Sequence, residues 1–302
     1  SYTGKSKIIR FEGHYHGWCD ELNVSSHPTS IVNMGPRNAP WRIMESAGQR
    51  YAASEDIIVL PWNDLEVLEM TLKRHGNEIA GLIMEPAMYK AEPIMPMPGY
   101  LEGVRKLTKE YGVVFIFDEV ITGFRLALSG AEGYFGVTPD IVVFAKAVAA
   151  GYPISGVGAS KAIMKSGVHP AGTFNANPLC VAAALATLKE LEKPGVYEGM
   201  AHITSMIKDG VNELAKKHGI KLWCDSQVSI WQLQFGIDHP MRDIRDNFKV
   251  DKKTYDRFYK ECLKRGIRLH SSRGRFYIST AHSEADVART LEVFDEVFKI
   301  IK

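Results

Sequence analysis

Two short apolar runs, each ending on a charge, constrain this chain most. Val113 to Phe117 lead into Asp118 and Glu119, and Ile141 to Ala145 lead into Lys146. Apolar runs this short read as buried parallel strands. Taking an unpaired charge out of water is costly, so buried strands rarely finish on one without a partner. In an open α/β sheet such groups collect at the carboxyl edge, where ligands bind. The two runs therefore predict a parallel sheet with a site at the ends of these strands.

The flanking sequence repeats the same grammar. Strands are expected at 8–11 (IIRF), 57–60, 80–86 (AGLIMEP), 113–118 and 140–145. Helices are expected at 64–75, with Asn63 as its cap, at about 99–111 and at about 177–192. This β-α-β alternation predicts an α/β fold with a mostly parallel sheet covered by helices on both faces. After Lys193-Pro194-Gly195 the pattern changes. A helix at 196–218 leads to strands near 220–224 and 228–235, then a helix at 252–265, strands at 267–270 and 275–279, and a last helix at 283–301. The expected division is a large domain over 1–193 and a small C-terminal α+β domain over 194–302. Residues 12–55, rich in Gly, Pro, Ser and Asn, read as a long excursion with little regular structure, a length usually functional or disordered.

A chain of 302 residues can bury a full core, and its net charge of +2 gives no electrostatic case for nucleic acid or an acidic membrane surface. Cys19, Cys180, Cys224 and Cys262 are scattered and form no CxxC pair, which fits reduced thiols. No apolar stretch in the sequence is long enough to span a bilayer and none reads as a signal peptide, so a cytoplasmic protein is expected. Ser1 to Lys7 reads as the tail of a helix and a turn, as though the chain began inside a domain.

A carboxylate and a lysine at one sheet edge suit pyridoxal phosphate: the lysine forms the Schiff base and the acid pairs with the pyridinium nitrogen. The segments FEGHYHG, EP, DEV, FAK and GTFNANPL, read in order, resemble the class III pyridoxal-phosphate aminotransferases of fold type I. The likeness is strongest to the glutamate semialdehyde aminomutase branch, over residues 118–154, and extends more weakly over nearly the whole chain. The resemblance implies pyridoxal 5'-phosphate as cofactor. Lys146 would be its Schiff-base lysine and proton carrier, and Asp118 the partner of the ring nitrogen. Val120 and Tyr15 would lie on the two ring faces. His16 is expected among the cofactor-binding residues, orienting the Tyr15 loop. Glu85 would join a hydrogen-bond network near the cofactor hydroxyl and the substrate. Thr173 would reach the cofactor phosphate of a neighbouring subunit, implying a homodimer with shared active sites. His14 and His16 flank Tyr15 at strand spacing, yet no acid or cysteine at ligand spacing joins them, so no metal is expected. Asn175 and Asn177 read as turn formers, and Arg125 of GFR as structural.

Two departures from the family pattern matter. The family's phosphate cradle, a small-residue turn opening a helix, lies upstream of Ser1 in the family's order, and nothing in 1–302 replaces it; a fragment of a longer protein is the expectation. The aminomutase branch also carries an asparagine where this chain has Lys90, and a glutamate in the stretch matching HSSRGRFYIS (270–279), which here has no acid. Both changes favour an ordinary aminotransferase that takes a small-molecule amino donor and an oxo acceptor and releases its oxo product. A β-amino acid is an attractive substrate subtype. Arg273 or Arg275 is a candidate clamp for a substrate carboxylate, against a solvated surface charge as the plain alternative. The aminomutase, a racemase or epimerase, and a cofactor-deficient fragment or assembly protein stand as alternatives.

Overall fold

The computed structural model describes residues 1–302 apart from Pro170 and Arg273. Six strands form the larger sheet: β1 (Lys7–Phe11), β2 (Ile57–Leu60), β3 (Ile79–Met84), β4 (Val114–Glu119), β5 (Ile141–Phe144) and β6 (Gly156–Ala159). Their order is β2-β1-β3-β4-β5-β6; every neighbouring pair is parallel except β5 and β6. Parallel neighbours need crossovers, and α1 (Leu65–His75) and α2 (Tyr100–Glu110) supply two of them. Three further helices follow: α3 (Gly130–Phe135), α4 (Lys161–Met164) and α5 (Pro178–Leu191). Ile9, Phe11, Leu82, Met84, Phe115 and Phe117 are wholly buried on the strands, under Leu68 and Leu72 of α1 and Val104 of α2. This is the α/β architecture that the apolar runs predict.

Local details differ from the sequence reading. Asp64, not Asn63, caps α1: its Oδ1 accepts the Val67 N–H at 3.1 Å. Asn63 sits at φ +56°, donates to the carbonyls of Met95 and Arg242, and accepts the Met97 N–H, so its amide is committed to distant segments. The edge strand β6, GVGA, carried no strand signal. Its small residues suit the place, because a Cβ at Gly156 would collide with the Phe144 ring.

The second sheet is antiparallel, ordered β7 (Leu222–Gln227), β8 (Ile230–Phe235), β9 (Arg275–Tyr277). Helices α6 (Val196–His218), α7 (Lys252–Lys264) and α8 (Glu284–Ile301) bury Leu233, Phe235, Phe258, Phe294 and Phe298 against one of its faces. Residues 267–270 form no strand. Ile267 and Leu269 pack into this core without a ladder, so their alternation reported burial and not pairing. Strand alternation turns the other set of side chains away from the helices: Trp223, Asp225, Gln227, Ile230, Gln232, Gln234, Arg275 and Tyr277. Ile230 belongs to the core of the larger sheet, and Trp223 and Tyr277 pack against it. The mainly polar face of the small sheet thus meets the large one.

The excursion over 12–55 holds only 3-10 turns at Ile31–Met34 and Tyr51–Ser54 and an isolated bridge between Val24 and Met44. Its order comes from Arg10, a charge inside the apolar strand β1. The fully buried guanidinium donates to the carbonyls of Phe11, His14, Leu22 and Val24 and to Ser26 Oγ. Burial pushes its pKa down to about 10. Among the described residues, no helix is long and apolar enough to cross a membrane.

Candidate active site

Four adjacent parallel strands, β1, β3, β4 and β5, deliver one group each to the carboxyl edge of the sheet. Asp118 lies near the end of β4, paired in register with Val143 of β5. Its Oδ2 is 2.8 Å from His16 Nδ1, and its Oδ1 accepts the Val120 N–H at 3.1 Å. The carboxylate can only accept, so His16 donates through Nδ1. Burial lowers the proton affinity of His16, against the pull of Asp118, and favours the neutral ring. Its Nε2 is buried with no hydrogen-bond partner among the described residues. Glu119, the next residue, serves the fold: it accepts from Thr122 Oγ1 at 3.1 Å and from the Ala131 N–H at the start of α3.

Glu85 follows β3 directly and is 3% exposed. Both oxygens are engaged: Oε1 accepts the Tyr15 N–H at 3.0 Å, and Oε2 those of Tyr89 at 2.8 Å and Lys90 at 3.1 Å. One carboxylate therefore fixes the Tyr15 loop to the segment after β3. His14, expected only as a neighbour of Tyr15, joins this framework by accepting the Glu85 N–H on Nδ1 at 2.9 Å. Burial raises the Glu85 carboxyl to about 7, against the three amides that favour its charged form. The folded state thus holds a proton that the unfolded chain loses near 4.5. That contribution to stability is complete below the unfolded value and is lost as pH rises through 7, a change on the order of 3 kcal/mol. Denaturant midpoints of the wild type should therefore fall between about pH 5 and pH 8 more steeply than those of Glu85→Gln. Parallel curves would mean that Glu85 is ionised throughout.

Lys146 stands two residues beyond β5 and opens a 3-10 turn, Lys146–Ala149, at φ +49°. A non-glycine residue there costs on the order of 1–3 kcal/mol, and such strain clusters at functional sites. The side chain keeps access to solvent. Loss of hydration nevertheless lowers its proton affinity; Asp118 and Glu85 oppose that, while Arg275 and Lys90 add to it. Asp118, Glu85 and Lys146 thus lie within one another's electrostatic reach.

Val120 is half-buried beside Asp118. Tyr15 is half-buried too, with the Lys90 ammonium 4.8 Å from its ring centroid. Thr173 is exposed, next to exposed Phe174. Asn177, expected as a turn former, caps α5 by accepting the Leu179 N–H at 3.0 Å. Arg275 is 8% exposed on β9, facing the large sheet, and is no solvated surface charge. Arg273 lies outside the described residues.

A strand-end lysine, a carboxylate held by a neutral histidine, and a buried glutamate knitting the loops make a site for a planar, ionisable cofactor. The class-III aminotransferase family model matches residues 1–222. The chain belongs to the class-III aminotransferases.

Relatives of this class-III chain agree. The glutamate-1-semialdehyde 2,1-aminomutase of Desulfitobacterium hafniense (strain DSM 10664 / DCB-2) is 36% identical over 303 residues, covering 98% of this chain and 68% of that protein. An omega-transaminase from Sphaerobacter thermophilus superposes with a TM-score of 0.88 at 27% identity, over 99% of this chain and 69% of the other. A glutamate-1-semialdehyde aminomutase from Pseudomonas aeruginosa PAO1 gives 0.86 at 22% identity, over 100% of this chain and 67% of the other, and shares the fold. The fold is therefore fold type I, and the class works with pyridoxal 5'-phosphate. The residues present fit that group. Asp118 offers an anchored negative charge for a ring nitrogen, and Lys146 an amine of lowered proton affinity.

Proposed function

We propose that this chain is a pyridoxal-phosphate aminotransferase moving an amino group between an amino acid, β-amino acids included, or an amino ketone and an oxo acid. The observation that carries this reading is the convergence of Lys146 with the Asp118–His16 pair at the ends of neighbouring strands. When bound, the cofactor supplies an electron sink for the pair released at the substrate Cα. Asp118, anchored by His16 and the Val120 amide, would hold the proton on the ring nitrogen, since a near negative charge favours the protonated form. Lys146 would carry the cofactor, then take the Cα proton and deliver it elsewhere. Its lowered proton affinity leaves more of the amine neutral, as a general base requires. Tyr15 and Val120 would enclose the ring, with Glu85 holding the Tyr15 loop in place. Arg275 would receive a substrate carboxylate.

Exposed Thr173 would serve the phosphate of a second copy, making the working unit a homodimer with shared sites. We also assign 1–193 as the large cofactor-binding domain and 194–302 as the small one. A second reading, the intramolecular amino shift of an aminomutase, is favoured by the names of the curated relatives. Lys90 and the acid-free stretch 270–279 support release of an oxo product instead.

The visible spectrum of the cofactor-loaded protein, followed with a panel of amino donors, tests both. A donor-driven spectral change with matching release of oxo product supports aminotransfer. A single substrate turned into its amino-shifted isomer, with nothing released, supports the aminomutase. No change with any donor or isomer would sink both.

A further inference from the structure

The two histidines that flank Tyr15 carry one buried donor and one buried acceptor. His14 is wholly buried, and its Nδ1 accepts the Glu85 N–H at 2.9 Å. Burial holds its proton affinity well below the usual range, so the ring is neutral. A neutral imidazole that accepts through Nδ1 carries its proton on Nε2, and Nε2 is then a donor. The His16 side chain is wholly buried as well and donates through Nδ1 to Asp118, so its own Nε2 is an acceptor. Neither Nε2 has a hydrogen-bond partner among the described residues.

The two rings lie close, with centroids 6.0 Å apart and planes inclined at 45°, yet no direct bond joins them. Wholly buried Trp62 completes the cluster: its ring stands 4.5 Å from that of His14, and its Nε1 also lacks a partner among the described residues. Leaving buried donors and acceptors unmade is costly, and groups just beyond direct reach are commonly joined by a water. One water here would accept from His14 and Trp62 and donate to His16, the roughly three bonds that an internal water makes. Charged and titratable neighbours are few. Arg10 of β1 acts on both rings, and Asp118 of β4 acts on His16. Glu85, after β3, gives His14 its amide and spends its carboxylate on other amides. Lys146, after β5, reaches Asp118, and Glu12 is paired with Arg245 at 2.9 Å. Tyr100 of α2 packs on Trp62 at 4.8 Å, and burial keeps its hydroxyl protonated.

A donor on His16 Nε2 has two effects. It fixes the single proton of His16 on Nδ1, where Asp118 accepts it, and it opposes a second proton on that ring. His16 then stays neutral, and Asp118 keeps its whole negative charge for the group it faces. Because His14 also accepts the Glu85 amide, one imidazole couples the Glu85 framework to the Asp118 pair.

We propose that His14 is a positioning residue for Asp118: its Nε2–H reaches His16 Nε2 through one internal water and so fixes the tautomer that His16 presents to the carboxylate. Its consequence for rate rests on the aminotransfer reading; the hydrogen bonds do not. His14 touches neither cofactor nor substrate in this role and acts only through His16.

The experiment is nitrogen NMR of the cofactor-loaded protein, isotopically labelled at its histidines, alongside steady-state kinetics. The wild type should show His14 protonated on Nε2 and His16 on Nδ1, with cross-relaxation between the His14 N–H and a bound water. His14→Asn keeps an acceptor for the Glu85 N–H and loses the distal donor, whereas His14→Gln does the reverse. His14→Asn should raise the pH at which His16 takes a second proton by about one pH unit, and lower kcat about three- to tenfold at unchanged donor KM. His14→Gln should stay within about twofold of the wild type in kcat, with His16 undisturbed. A merely structural role predicts the opposite order, because His14→Gln breaks the contact with Glu85. That order, equal effects of the two variants, a His16 protonated on Nε2, or no water contact would each overturn the linkage. Should the variants fail to fold, the wild-type tautomers and the water contact decide. The predicted signals in a protein that no donor converts keep the linkage and remove aminotransfer. Donor turnover that His14→Asn and His14→Gln leave alike does the reverse.

Discussion

Lys146→Ala will abolish covalent retention of the cofactor and lower donor-dependent turnover by at least ~10²–10⁴-fold, the usual contribution of a positioned proton carrier. Two functions are lost with one amine: the covalent anchor and the base. After borohydride reduction, intact-protein mass spectrometry should find the cofactor mass on the wild type and not on the variant. The position argues against a surface lysine of no consequence. Lys146 sits in a strained left-handed conformation at the end of β5, and Asp118, Glu85, Arg275 and Lys90 all influence its proton affinity. An unaltered visible spectrum in Lys146→Ala would remove the central residue of the proposed reaction.

Asp118→Asn should split binding from chemistry. The two donors use different carboxylate oxygens, so the single amide oxygen can keep His16 Nδ1 or the Val120 N–H but not both, and part of the local framework survives. The larger change is the lost charge. We expect kcat to fall by ~10²–10³-fold, the size typical of losing one preorganised electrostatic contact, with cofactor affinity changed far less. A comparable loss in cofactor affinity with kcat intact would make Asp118 a binding residue and not a tuner of the ring nitrogen. His16 acts through Asp118, so His16→Phe should follow the same pattern with a smaller amplitude. A full loss of binding in that variant would show instead that the buried ring supports the loop.

The parallel sheet was legible because burial and periodicity are local properties. The runs at 113–117 and 141–145 could be read as strands without any partner, and their pairing followed from chain grammar. The errors share one cause. At 267–270 apolar alternation predicts pairing, although the segment only packs half-buried Ile267 and Leu269 against the core. At 156–159 a strand was missed because glycines accepted by a neighbouring aromatic ring look like a loop in one dimension. The cap of α1 went to Asp64 because long-range contacts had recruited Asn63.

The site divides along the same line. The chemical types at the sheet edge, Asp118, Glu85 and Lys146, are legible in one dimension, since each follows a recognisable apolar strand. The family is legible too, through motifs whose order is fixed along the chain. What each group does with its neighbours depends on the folded arrangement. Glu85 spends both oxygens on the amides of Tyr15, Tyr89 and Lys90, His16 binds Asp118, and Arg125 meets Arg275 over Tyr277. Arg125 and Arg275 stand 150 positions apart in the chain, and they meet over one ring only when the small sheet turns its polar face onto the large one. The physical reason is range. Propensity and burial patterns act over a few residues, whereas desolvation and the pairing of charges depend on whatever the fold brings within a few ångströms.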